Sequence, residues 1–219
     1  MNAQIKNALV DRSADIVRFI DISMLDKCQA QDFTKAIVFG MALTKKFILD
    51  VYNDLTTDYS EFGDKEHKSE DLADWLADYI RQKGYDAYSQ STENNWQNGN
   101  FDEKTKSIRL PVKTLARLAG IGYIGKNNLL VNDEYGCALT LSAVLTNAPV
   151  ATEEHSLILS KCGDCNVCQT ICSANAVHGN EWTQEDGREF IIDVLKCTCC
   201  LKCMINCPKT LKYANQITE

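Results

Sequence analysis

Cys162-Gly-Asp-Cys165-Asn-Val-Cys168-Gln-Thr-Ile-Cys172 and Cys197-Thr-Cys-Cys200-Leu-Lys-Cys203-Met-Ile-Asn-Cys207-Pro208 repeat one cysteine spacing, C-x2-C-x2-C-x3-C. Each member of the second copy lies 35 positions after its counterpart, and together the copies use eight of the eleven cysteines. Four thiolates at tetrahedral corners can hold a cubane of iron and sulfide. Three closely spaced cysteines on a tight turn reach three corners and leave the fourth to a residue from elsewhere.

The doubled run is the ligand pattern of bacterial ferredoxins with two [4Fe–4S] clusters, in which the fourth cysteine of each run ligates the other cluster. One cluster is therefore expected on Cys162, Cys165, Cys168 and Cys207, and a second on Cys197, Cys200, Cys203 and Cys172. Zinc is the alternative. It is normally held by two C-x2-C pairs across a spacer, which leaves the extra members of each run unused. A disulfide framework fits less well, because such frameworks belong to short secreted chains.

Composition narrows the setting. The 219 residues are 45% hydrophobic and 24% charged, an ordinary globular balance with room for one good core and a small appendage. No apolar run reaches 18 residues, so no membrane partner is expected. The N-terminal MNAQIKNALVDRSADIV lacks an export signal, which points to the cytoplasm and to reduced thiols. With a net charge of −7 and no cluster of Lys and Arg, the chain is expected to have no nucleic-acid partner.

The cysteines also divide the chain. Residues 1–155 hold only Cys28 and Cys137, and residues 156–219 hold the other nine. The expected fold is α/β (or α+β) over 1–155, followed by a ferredoxin-like double-cluster domain over 156–219. Ile16–Ile22 and the continuous apolar run Ala36–Leu43 read as strands, the second covered on both faces. Ser69 is the expected cap of a helix whose apolar face is Leu72, Trp75, Leu76, Tyr79 and Ile80, with Gly84 as its stop. Asp86–Ser91 reads as a further strand, and residues 92–107 as a long polar loop. Pro111 opens a second helix that ends at Gly120. Leu129–Val131 and Cys137–Leu145 flank NDEYG as a hairpin, giving a sheet of about four to six strands. In the tail, helical turns are expected after Cys165 and Cys200, and a helix over Glu189–Leu195.

Gly120-Ile-Gly122-Tyr-Ile-Gly125 matches G-x-G-x-x-G, but the context is wrong for a dinucleotide. The glycines follow a helix and lead into a strand, and no acidic residue sits about twenty positions on. What remains is a backbone able to approach a ligand closely, beside Lys126, Asn127 and Asn128. This segment, extended to Leu115–Leu130, together with Leu141–Thr146 and the double cysteine run, resembles the epoxyqueuosine reductases. These are cobalamin-dependent enzymes with two [4Fe–4S] clusters, related to the iron–sulfur part of corrinoid reductive dehalogenases. The resemblance spans about residues 105–207. It implies a nitroreductase-like front domain and cobalamin as a further cofactor. It also implies that Gly120, Gly122, Tyr123, Gly125, Lys126 and Asn127 line a cofactor or substrate cavity, with Tyr123 and Lys126 as candidate catalytic groups. Two departures set the chain apart. Ser107, Ile108, Arg109 and Leu110 precede Pro111, where the family carries an acidic proton donor. A helical-repeat extension that helps hold tRNA is also missing, so a substrate other than tRNA is expected.

Cys199 lies off the repeat and reads as either an alternative ligand or a spare buried thiol. Cys28 and Cys137 read as packing residues, and His67, His155 and His178 form no metal-binding pattern. The acidic stretch Asp58–Asp74 is a solvated face or a docking surface for a basic partner. Two functions fit. The first is an oxidoreductase that passes electrons through both clusters to a corrinoid or small-molecule ligand at Gly120–Asn128. The second is an electron-transfer protein that docks on a partner enzyme. A ferredoxin, flavodoxin or reductase is the expected redox partner of either.

Overall fold

The computed structural model describes residues 1–183 and 185–216. In chain order the elements are α1 (Asn2–Val10), β1 (Ile16–Asp21), α2 (Lys27–Ala30), β2 (Lys35–Ala42), α3 (Lys45–Tyr52), α4 (Ser60–Gln82), β3 (Ala87–Ser89) and α5 (Thr92–Gln97). They continue with β4 (Phe101–Asp102), β5 (Ser107–Ile108), α6 (Val112–Leu118), β6 (Tyr123–Ile124), β7 (Leu130–Val131) and β8 (Leu139–Thr146). The tail carries α7 (Val167–Thr170), a 3-10 turn (Arg188–Phe190), α8 (Lys202–Ile205) and α9 (Pro208–Ala214).

These elements form two compact units. The first takes Met1–Ala42, Phe62–Gly120 and Thr140–Ser156, and the second takes Leu43–Glu61, Ile121–Leu139 and the chain from Leu157 onward. The sequence predicts one crossing near residue 155. The chain instead crosses five times, because segments from its front half pack with the cysteine runs.

The first unit is built on a four-stranded sheet in the order β1-β2-β8-β3, with β1–β2 and β3–β8 antiparallel. One core cluster joins Val17 and Phe19 of β1, Ile37, Phe39 and Met41 of β2, and Val144 of β8 with Ile5 and Leu9 of α1. Leu72, Leu76 and Ile80 of α4 complete it, at the three-to-four-residue spacing that gives a helix one apolar stripe. The alternate β2 residues Ala36 and Val38 are also fully buried, and α6 packs against the same strand. That accounts for the unbroken apolar reading of β2. Fully burying each large aliphatic side chain of this core is worth about 1.5–3 kcal/mol.

In the second unit, α3 packs on α8 and α9, and α7 packs on α8. The strands β6 and β7 form a small antiparallel pair, with Tyr123 opposite Val131 and Ile124 opposite Leu130. Tyr213 of α9 donates to the Leu43 carbonyl at 2.9 Å and meets Tyr135 edge to face. Gly136 has φ +60, and a Cβ there would stand 2.3 Å from the backbone nitrogen of Thr210. Only glycine allows the 132–136 turn to lie this close to α9.

Several expectations are corrected. Helix α4 begins at Ser60, not after Ser69; Ser69 is buried inside it and its hydroxyl donates to the Glu66 carbonyl. The polar first half is held by neighbours that periodicity does not reveal. Glu61 accepts from the Thr44 N–H and hydroxyl, and Lys65 donates to the Ala42 carbonyl. Residues 92–107 are not a plain loop but hold α5, capped by Ser91, and the β4–β5 hairpin. Pro111 is the N-cap of α6 and not its first helical residue. Strand β7 pairs with β6, and β8 belongs to the large sheet, so no hairpin joins them. Glu189–Leu195 is no helix: a 3-10 turn ends at Phe190, and Ile192 bridges to Val177. Ile191 and Ile192 are both buried, Ile192 against Ala176 and Val177.

Candidate metal centre

Helix α7 follows Cys165 and begins within the first run, while α8 begins two residues after Cys200. Each short helix turns its run back on itself. Helix α9 opens with Pro208 at its first position and Cys207 as the residue before it. Proline there loses no helical hydrogen bond, since its missing N–H belongs to the unpaired first turn.

The packing of these turns brings Cys162, Cys165, Cys168 and Cys207 around one cavity of about 100 Å³. These are the three leading members of the first run and the last member of the second. Burial first, and then the thiolate charge of Cys162, pushes the Cys168 thiol up to about 11; Cys165 and Cys207 add to the effect. A parallel relation links the other four. Cys203 is pushed up to about 12, first by burial and then by Cys168, Cys197, Cys200 and Cys172. Burial raises Cys172 too, but the N–H groups of Val177, Ala176, Ala174 and Asn175 outweigh it and hold the thiol below its ordinary value. The Ala176 N–H reaches the Cys172 sulfur at 3.3 Å.

The four cysteines about this cavity are a donor set that would suit a polynuclear cluster. Thiols packed against one another repel as thiolates, and cationic iron would relieve that repulsion. Among the described residues no three His, Cys, Asp or Glu side chains converge on a single-ion position.

The glycine segment meets the first quartet directly. Tyr123, Lys126 and Asn127 line the same cavity as its cysteines. Tyr123 is 3% exposed, and burial, followed by the charge of Cys162, raises its hydroxyl well above the ordinary tyrosine value. Lys126 donates to the Gly163 carbonyl at 2.5 Å, which fastens the segment to the start of the first run. A Cβ on Gly125 would lie 2.7 Å from Val131 Cγ2 and 2.9 Å from Asn127 Oδ1, so the missing side chain lets the loop close on β7 and on Asn127; Cys162 Sγ, at 3.7 Å, would be an ordinary contact. Gly122 is similarly close to the Val131 carbonyl. Gly120 belongs to the first unit, where it faces His155, and is not gathered with the others.

Two residues outside the expected set join the site. Cys137 is 3% exposed; the neighbouring Cys207 and then burial push its thiol well above the ordinary value, while Cys137 lowers that of Cys207. The Thr210 hydroxyl accepts from the Cys137 N–H at 2.9 Å. Neither has a local sequence signal, since each lies outside the repeat. Cys199, expected as a buried spare thiol, is exposed with φ +52, and Cys28 is also exposed.

No protein-family model matches the chain. The epoxyqueuosine reductase of Staphylococcus aureus (strain NCTC 8325 / PS 47) is 27% identical over 110 residues, which cover 49% of this chain and 28% of that protein. Among solved structures, an epoxyqueuosine reductase with a tRNA-Tyr epoxyqueuosine-modified stem loop superposes with a TM-score of 0.60 at 14% identity. The match covers 95% of this chain and 65% of that one. A reductive dehalogenase, described as B12-dependent, superposes with a TM-score of 0.65 at 18% identity over 88% of this chain and 28% of that one. The chain is thus a relative of the epoxyqueuosine reductases, which are oxidoreductases, and it shares a mixed α/β fold with them and with reductive dehalogenases. It spans less than a third of that curated relative's length. The tRNA stem loop is the ligand of that neighbour and bears only weakly on the expectation of no nucleic-acid partner. Among the described residues no helix is long and apolar enough to cross a membrane.

Proposed function

We propose that the chain is a cytoplasmic iron–sulfur oxidoreductase that delivers electrons from two [4Fe–4S] clusters to a corrinoid or other bound substrate. In this reading the first unit is a nitroreductase-like domain and the cysteine-rich tail is ferredoxin-like. The observation that carries it is the crossed gathering of Cys207 with Cys162, Cys165 and Cys168 about one cavity. That arrangement is what two clusters sharing two runs require. Eleven free cysteines suit a reducing compartment.

When bound, each cluster would accept and release single electrons, at potentials that reach about −400 mV in ferredoxin-type centres. The residues of this chain hold, shield and bias that site. Tyr123 and Val131 keep water from the first quartet, and Lys126 fixes the glycine segment on the first run. The candidate catalytic pair Tyr123 and Lys126 therefore acts on the cluster side of the reaction. Burial, and then the charge of Cys162, keeps the proton on Tyr123. Small-molecule or corrinoid binding falls to the glycine segment, and a ferredoxin, flavodoxin or reductase supplies electrons.

One observation favours a second reading. The segment from Gly122 to Asn127 packs straight onto the sulfur set, as it would in an electron carrier that docks on a partner enzyme. Anaerobic purification in the presence of cobalamin separates the two. The reductase reading expects about eight irons and eight sulfides per chain, together with retained cobalt. Iron and sulfide without cobalt, and no spectral change on mixing with cobalamin, would leave the carrier.

A further inference from the structure

A chain of polar side chains in the first unit has its hydrogen-bond polarity fixed by two backbone carbonyls. The Ser91 carbonyl can only accept, so the end of the Asn95 amide that faces it at 3.0 Å is Nδ2. The same nitrogen donates to Gln90 Oε1 at 3.3 Å, which leaves Gln90 Nε2 over. The Tyr88 hydroxyl proton goes to the Asn94 carbonyl at 3.3 Å or to Asn95 Oδ1 at 3.4 Å. Its oxygen therefore accepts from Asn100 Nδ2 at 2.7 Å, and that nitrogen meets Gln31 Oε1 at 3.4 Å. Both ends of the chain thus finish in a donor. Gln31 Nε2 and Gln90 Nε2 are buried without an acceptor among the described residues. Buried donors left unpaired are costly and uncommon. Gln31 is also held at φ +54 and Asp32 at φ +62, left-handed conformations that non-glycine residues disfavour and that cluster at ligand sites.

Asn100 joins Gln31 to a cavity of about 350 Å³ at the β4–β5 hairpin, whose lining includes Asn100, Asp102, Ser107 and Arg109. Phe101 pairs with Ile108 and Asp102 with Ser107, so Asn100 and Arg109 come next and all four polar side chains share one hairpin face. The Arg109 N–H donates to the Asn100 carbonyl at 2.8 Å, which fixes the two together. Arg109 is exposed, is the one cation in the lining, and forms no ion pair among the described residues. We propose that this cavity binds a small organic monocarboxylate, with one oxygen accepting from Gln31 Nε2 and the other from the Arg109 guanidinium. One cation and one neutral amide match a single negative charge. Asp102, held below the usual carboxylate range by the N–H groups of Lys104 and Thr105, would repel a dianion such as phosphate. Gln90 ends the chain at its other side and takes no part. The site goes beyond the electron-transfer reading and uses none of the cysteines.

The test is isothermal titration of the anaerobically purified full chain with sodium acetate, lactate and benzoate in turn, beside inorganic phosphate and acetamide. At least one of the three carboxylates is expected to bind saturably at a single site, more tightly than phosphate or acetamide. Arg109→Gln, a change at an exposed position whose unfolding midpoint should match wild type, should weaken that binding by about tenfold, the loss of one charge-assisted bond. Gln31→Glu keeps the acceptor for Asn100 but turns the donor into a repelling oxygen, and should abolish binding. Amide resonances that move on saturation should fall within 99–109. No saturation with any of the three carboxylates overturns the site. So do equal affinity for phosphate or acetamide, unchanged binding in either variant, or resonance shifts confined to other residues. A chain without iron that still binds the carboxylate supports the site while removing the cluster reading, so the two fail separately.

Discussion

The side-chain amide of Asn127 stands 3.2 Å from the carbonyl oxygen of Cys203, a residue 76 positions further along the chain. The glycine segment and the second cysteine run are thereby held as parts of one structure. Consequences for metal loading, stability and pH dependence follow from this and from the packing around it.

Removing Cys207 should cost the same cluster as removing Cys162, Cys165 or Cys168. Each single Ala variant is expected to retain about four of eight irons, and Cys162→Ala/Cys207→Ala no fewer than either alone. Iron and sulfide analysis after anaerobic isolation checks this. A double variant with almost no iron would mean that Cys162 and Cys207 serve different clusters.

Gly136→Ala places a methyl group 2.3 Å from the Thr210 nitrogen, at a φ of +60 that side chains disfavour. The strain and the forced retreat of α9 should destabilise the fold by on the order of 1–3 kcal/mol. The denaturation midpoint would fall, and with it the retention of the cluster held by Cys207. An unchanged midpoint would show that the turn and α9 are not in fixed contact.

Leu76→Ala empties space in the first unit's core, where Leu76 is completely buried. A loss of about 2–5 kcal/mol in unfolding free energy is expected. Iron content should stay at the wild-type value, because no cysteine ligand packs in that cluster of side chains. Iron loss in proportion to the destabilisation would contradict separate cores.

Chelation of the iron should loosen the tail selectively. The second unit gathers its cysteines around a cavity, whereas the first has a continuous apolar core. Metal binding and folding are coupled where ligands define the site. Hydrogen exchange should rise across 157–216 and remain slow in β1, β2 and the second half of α4. Uniform loss of protection would show one cooperative unit.

Glu66 is raised, first by burial and then by the charge of Glu70, with His67 opposing. A carboxyl whose folded value lies above its unfolded one destabilises the fold where it is ionised. Stability is gained as pH falls through the folded value and is lost above it. Glu66→Gln should therefore raise the thermal midpoint at neutral pH, with the advantage shrinking in acid. An equal advantage at both pH values would point to packing and not to charge.

The parts legible in the sequence are those governed by short-range rules. Cysteine spacing is such a rule, and the gathering of Cys207 with Cys162, Cys165 and Cys168 about one cavity accords with it. The apolar runs at Ile16–Asp21 and Lys35–Ala42 also showed themselves, since strands buried in a sheet need little else. What stayed hidden depends on partners far away in the chain. The start of α4 rests on the contact of Glu61 with Thr44, and no periodicity marks Ser60–Lys68. Cys137 reads as simple packing until Asn127 and Thr210 are seen around it. The separation of Gly120 from Gly122 and Gly125 is equally invisible in a motif that counts all three together.

The five crossings between units also impose an order on the making of this protein. Segments 43–61 and 121–139 leave the ribosome well before Cys207, at about 5–20 residues per second. The partners they need do not exist until the second cysteine run has been made. Assembly of the cysteine-rich half therefore waits on the second run, and iron delivered before it would find only the first run, without the proposed fourth thiol of Cys207.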